Sequence, residues 1–141
     1  MSKVIAYTDG ASRGNPGDAG IGILLVDEKD NVIKEISDYI GQTTNNIAEY
    51  TALVKALKEA LEMNFEGIEV ISDSELMVKQ INGEYQVKSE GLKPLYKEAC
   101  ELLKEFKIFT VRHVRREQNK EADKLANRGI DEALDENEID I

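Results

Sequence analysis

The chain has 141 residues, 41% of them hydrophobic, a size and composition that suit one domain with its own core and argue against a second. Its longest aliphatic run, IGILLV, is too short to span a bilayer and its first residues, MSKVIAYTDG, lack a secretory pattern, so the protein is read as soluble and cytoplasmic, with no membrane partner. The formal net charge of −10 disfavours a polyanionic partner, but six acidic and no basic residues fall between Asp131 and Ile141, which leaves −4 on the rest, and Arg112 to Arg128 holds six basic against three acidic residues.

Three β-branched, alternating runs open the chain and predict strands over Lys3 to Thr8, Gly20 to Asp27 and Val32 to Ile40, an antiparallel meander with DEKDN as its second turn. From Asn45 the spacing becomes helical, with Ile47, Leu53, Val54, Leu57 and Leu61 on one stripe. IEVISD then reads as a strand and Ser74 to about Asn82 as a short helix closed by Gly83. GEYQVKSEGLK is a loop, and Pro94 suits the first turn of a helix running to about Phe106. IFTVRHV alternates as a strand, and a last helix runs from Gln118 or Asn119 to about Ala133. Residues 1–133 thus form one α/β domain, a five-stranded mixed sheet flanked by helices, with three antiparallel strands followed by helix-separated parallel ones; 134–141 is an acidic tail expected to be disordered. Cys100 lies among leucines in YKEACELLKEF and is expected to be a buried structural thiol.

Gly10, Gly14 and Gly17 follow Asp9 in the stretch VIAYTDGASRGNPG. A phosphate-binding loop would need Gly-Lys-Ser/Thr opening a helix, and a dinucleotide fingerprint would need G-x-G-x-x-G between strand and helix; here the glycines run on into the strand pattern GIGILLV. They therefore shape a hairpin, with Pro16 setting one φ of the turn and Gly17 free to take a positive one.

Asp9 and Asp73 each end a predicted strand, and if those strands are neighbours the two carboxylates meet at one edge of the sheet, where they repel unless a proton or cation lies between them. Glu49 borders the buried stripe of the first helix and Asp123 borders the packing face of the last, formed by Ala122, Leu125, Ala126 and Ile130; for both, plain surface acid and site residue are open readings. Four carboxylates without a Cys/His cluster would select a hard cation, Mg²⁺ or Mn²⁺ over Zn²⁺, and point to chemistry at phosphate.

Four blocks, YTDGASRGNPG, TTNNIAEYTAL, ISDSELMVKQI and HVRREQNKEADKLAN, resemble in order the motifs of ribonuclease H type 1, and the likeness covers about Lys3 to Gly129. The resemblance implies a ribonuclease H-like fold and endonucleolytic hydrolysis of the RNA strand of RNA/DNA hybrids, leaving 3′-hydroxyl and 5′-phosphate ends. By the same resemblance Asp9 bridges two Mg²⁺ ions, Glu49 and Asp73 hold the ion nearer the leaving group, and Asp123 holds the one that activates water. Asn15, Asn45 and Asn46 match minor-groove contacts and Thr44 a neighbouring contact to the DNA backbone, although TTNN also suits a helix cap. His113, the single histidine, lies ten residues before Asp123, as does the family's mobile histidine, but the strand pattern continues through it, so fixed strand residue and catalytic residue are both open; Arg115, Arg116 or Glu117 are alternatives near the ions.

The chain carries Glu75 where many relatives have an amide, and it lacks the basic, tryptophan-rich insertion of some relatives, which places it beside the short bacterial and archaeal forms and predicts weak, salt-sensitive binding. The expected state is a monomer without an obligate protein partner. A same-fold nuclease acting on double-stranded RNA or another structured nucleic acid, and a non-catalytic hybrid-binding domain, are the competing readings.

Overall fold

A computed structural model describes residues 2–139. In chain order the elements are β1 (Lys3–Gly14), β2 (Gly17–Val26), β3 (Val32–Thr43), α1 (Asn45–Glu62), β4 (Gly67–Ser72), α2 (Glu75–Ile81), α3 (Lys93–Leu103), β5 (Ile108–His113), a 3₁₀ turn (Arg116–Gln118) and α4 (Lys120–Ile139). The five strands form one sheet in the order β3-β2-β1-β4-β5, antiparallel from β3 to β1 and parallel from β1 to β5. This is the expected mixed sheet, and the helices between β3, β4 and β5 supply the crossovers that parallel pairing requires.

Neighbouring residues of a strand point to opposite faces, and β1 shows which helix covers which face. Gly10 lies against the backbone of Ala48 in α1, whereas Gly22, the β2 partner of Asp9, lies against the backbone of Ala122 and Ala126 in α4. The α1 face holds the main core: Val4, Ala6, Ile68 and Val70 from the strands meet Ala52, Leu53, Ala56 and Leu57, all at most 1% exposed. Each fully buried Leu contributes about 1.5–3 kcal/mol, so this stripe anchors α1 and with it Glu49, one turn from its start.

Several boundaries differ from the expected ones. β1 runs past Thr8 to Gly14, β2 begins at Gly17 and β3 continues to Thr43, so the glycine-rich stretch is ladder and not loop. Small and polar residues hide this extension, because the alternation that marks a strand needs large side chains. Gly14 takes the positive φ of the hairpin, +107°, in place of Gly17, at which a Cβ would lie 2.1 Å from the Arg13 carbonyl oxygen. α3 stops at Leu103, and Phe106 packs into the core from the turn after it. α4 is described to Ile139, six residues past the expected end near Ala133. The tail expected to be disordered is therefore helical backbone that far, and its last two residues lie outside the described ones.

Cys100 is half-buried, not buried, and lines a cavity of about 800 Å³ between α3 and residues 83–87. Among the described residues no helix is long and apolar enough to cross a membrane.

Candidate active site

The parallel ladder between β1 and β4 ends at the pair Thr8 and Ser72, so Asp73 leaves the sheet beside Asp9, which stays in β1 paired with Gly22 of β2. The third acid comes from α1. Thr44 caps that helix, its Oγ1 accepting from the Ile47 amide at 3.3 Å, and the cap sets the entry of the chain so that Glu49 points at the end of β1. The Gly10 amide donates to Glu49 Oε1 at 2.5 Å, a contact possible because a Cβ at Gly10 would lie 2.2 Å from the Ala48 carbonyl carbon. Asp9 and Glu49 are 5% and 4% exposed. One carboxylate oxygen from each of Asp9, Glu49 and Asp73 lies within 4.8 Å of the others.

Asp123, in the first turn of α4, faces the same cavity of about 590 Å³, with Asn45, Arg13 and Arg116 at its rim. All four acids of the expected tetrad thus line one cavity, three in a tight cluster and Asp123 near enough to act on the Asp9 carboxyl.

Burial, then the charges of Glu49 and Asp73, push the Asp9 carboxyl up to about 10. Burial, then the charge of Asp73, pushes Glu49 up to about 8. Burial also raises Asp73. In the absence of a cation the cluster therefore keeps protons at neutral pH, and a divalent ion is the natural replacement for them, since its charge offsets both the repulsion and the desolvation. The donors are all oxygens, which fits a hard cation.

The positive groups at the rim are engaged to different degrees. Arg13 pairs with Asp131 at 2.7 Å and reaches Asn127 Oδ1 at 3.3 Å. Arg116 lies 3.8 Å from Asp123 Oδ1, its side chain 81% exposed, and its charge acts to lower Asp73. His113 ends β5 in register with Ser72, is exposed, and does not line the cavity. Of the alternatives named with it, Arg116 is the one at the cavity.

The residues expected to touch substrate lie at the mouth. Asn45 lines the cavity, and its backbone N–H donates to Asn15 Oδ1 at 3.1 Å, so Asn15 ties the β1–β2 hairpin to the start of α1. Asn46 is exposed, and Thr44 serves as the cap described above. Glu75 also lines the rim, held by Lys79 at 2.8 Å.

Sequence reasoning missed Asn119 and Asn127, which flank Asp123. Asn127 Nδ2 donates to the Asp123 carbonyl at 3.0 Å and lies 3.4 Å from its Oδ1. Asn119 Nδ2 donates to the Thr8 carbonyl at 2.8 Å. Both stand four positions from Asp123, the spacing that places side chains on one helix face, and that was the available signal.

Residues 7–129 match the family model described as Reverse transcriptase-like. The chain is 44% identical over 131 residues to ribonuclease HI of Halobacterium salinarum, covering 93% of this chain and 66% of the relative. A crystal structure of ribonuclease H1 from that organism superposes with a TM-score of 0.90 at 43% identity, over 92% of this chain and 98% of the solved one. Ribonuclease H of Clostridium botulinum is 36% identical, with 94% of this chain and 98% of the relative aligned. A ribonuclease H1 crystallised in complex with an RNA/DNA hybrid matches with a TM-score of 0.87 and 45% identity, over 93% of this chain and 99% of that one.

Proposed function

Because the chain belongs to the ribonuclease H family, we propose that it hydrolyses the RNA strand of RNA/DNA hybrids at this carboxylate cluster, leaving 3′-hydroxyl and 5′-phosphate ends. The observation that carries the proposal is the meeting of Asp9, Glu49 and Asp73 within 4.8 Å at the end of the β1–β4 ladder, where burial makes their charges costly. The hybrid bound to a relative of the same fold supports the choice of substrate.

Asp9, Glu49, Asp73 and Asp123 would hold two divalent cations, Mg²⁺ or Mn²⁺, which when bound supply activation of a water and charge stabilisation at the leaving 3′-oxygen. The chain's own groups do the rest. The Gly10 amide and the capped start of α1 fix the direction of Glu49. Asn45, held by Asn15, presents an amide at the mouth of the cavity, where a 2′-hydroxyl can be told from its absence by hydrogen bonding. Arg116 places a guanidinium beside Asp123 and Asp73 at the position a scissile phosphate must approach.

The test is one assay of labelled hybrid, double-stranded RNA and double-stranded DNA with Mg²⁺ or Mn²⁺. Cleavage of the RNA strand of the hybrid alone is expected, with Asp9→Asn lowering kcat by at least about a thousandfold and His113→Ala changing it by less than about threefold. Equal cleavage of double-stranded RNA would replace the substrate assignment, and full activity in excess chelator would remove the metal.

A further inference from the structure

We infer that Asn119 is a positioning residue for the metal cluster: one buried side-chain amide ties the backbone just before Asp9 to the start of the helix that carries Asp123. The inference rests on the proposed function, since it assigns a task in assembling that same site.

Asn119 stands between the 3₁₀ turn and α4, and it is 1% exposed although it is a polar residue in a connection. Its backbone amide donates to the Arg116 carbonyl at 3.0 Å and its backbone carbonyl accepts from the Asp123 amide at 3.2 Å, so the residue both ends the turn and begins the helix. Its side chain crosses to the sheet, where Nδ2 donates to the Thr8 carbonyl at 2.8 Å. Thr8 precedes Asp9 and pairs with Ser72, which precedes Asp73. A single side chain therefore references the α4 acid to the strand pair that carries two others.

The direction of the amide is dictated by its partner. Thr8 offers a carbonyl oxygen, so only Nδ2 can face it, and Oδ1 is left buried with no donor among the described residues. A buried acceptor without a partner is uncommon, and its retention beside the carboxylates is unexplained by packing alone, because an aliphatic residue would fill the space without leaving a polar atom unpaired. What an aliphatic residue cannot do is hold the Thr8 carbonyl. Groups one contact removed from the ligands set ligand geometry, and removing them typically weakens metal affinity about 10–100-fold.

Mn²⁺ affinity is to be measured by calorimetry, without substrate, on the full chain as wild type, Asp9→Asn and Asn119→Ala, with circular dichroism as the check on folding. Should Asn119→Ala not fold, Asn119→Ser keeps a polar group in the space but is one bond too short to hold the carbonyl. The expected result is Mn²⁺ binding to wild type, its loss in Asp9→Asn, and binding at least about tenfold weaker in the Asn119 variant. In the cleavage assay the Asn119 variant should need correspondingly more Mg²⁺ for half-maximal rate, with KM for hybrid within about twofold of wild type, because the buried side chain does not reach the substrate. A folded Asn119 variant with lowered thermal stability but wild-type Mn²⁺ affinity would make the residue purely structural and overturn the proposal. Absence of Mn²⁺ binding by wild type, or unchanged binding by Asp9→Asn, would overturn the metal reading itself and this inference with it.

Discussion

At the scale of single residues, the carboxylate cluster makes a pH dependence that opposes the usual one. Asp9 and Glu49 are raised to about 10 and about 8 in the folded chain, above their ordinary values of 3.8 and 4.5. An acid raised on folding is protonated in both states below its unfolded value and in neither above its folded one. Between those limits the folded state binds more protons, so stability falls as pH rises. In chelator, the melting temperature should therefore decline from about pH 5 towards pH 8. Asp9→Asn should flatten that decline and stabilise the metal-free chain at pH 8 by roughly 1–3 kcal/mol, while Mg²⁺ should restore the wild type at the same pH. Scanning calorimetry across pH with and without chelator measures all three, and a metal-free melting temperature that rises over this interval would show that the acids are not crowded as described. The residue proposed to hold the metal is thus one that the fold tolerates at a cost, as functional sites commonly do.

At the scale of elements, the backbone approach of helix to sheet sets where the acids stand. α4 crosses β2 closely enough that a Cβ at Gly22 would lie 2.1 Å from the Ala122 carbonyl oxygen and 2.5 Å from the Ala126 amide nitrogen. Both neighbours are backbone and cannot rotate away, so Gly22→Ala should push α4 outward and destabilise the fold by about 2–4 kcal/mol. Asp123 would move with the helix, so activity at a temperature where the variant remains folded should fall too; urea titration and the cleavage assay read the two effects. These contacts also explain which elements were legible in the sequence. Strand and helix periodicity was plain wherever large side chains carried it, as in IGILLV or the stripe from Ile47 to Leu61, and the neighbouring placement of Asp9 and Asp73 followed from it, although Asp9 lies within β1 and only Asp73 follows the end of its strand. The continuation of β1 through Gly10 to Gly14 was not legible, because its small residues are required by α1 and by the hairpin, contacts that appear only once the chain has folded. Asn119 was hidden for the same reason: a lone Asn before a helix reads as a cap, and its bond to Thr8 spans 111 positions.

At the scale of the whole molecule, the proposed reaction requires a chain of net charge −10 to bring a polyanion to a cluster of acids. Distance along α4 resolves much of that conflict. Asp123 lies in the first turn, and Asp135 is twelve positions further on, so at 1.5 Å per residue the acidic end of the helix stands about 18 Å from the site. The Debye length is about 10 Å at 0.1 M salt and about 30 Å at 0.01 M, so the repulsion from this end is mostly screened at the first and largely intact at the second. Three charges at that separation from a few phosphates in water amount to about 1 kcal/mol at low salt and a few tenths at moderate salt. Replacing Asp135, Glu136 and Glu138 by their amides in an Asp9→Asn background, expected to block cleavage, should therefore tighten hybrid binding about fivefold near 10 mM salt and less than about twofold near 100 mM. Fluorescence anisotropy at the two salt concentrations decides the matter. Equal tightening at both would mean that the end of α4 meets the hybrid directly, and the acidic helix would then belong to the substrate surface instead of acting on it through solvent.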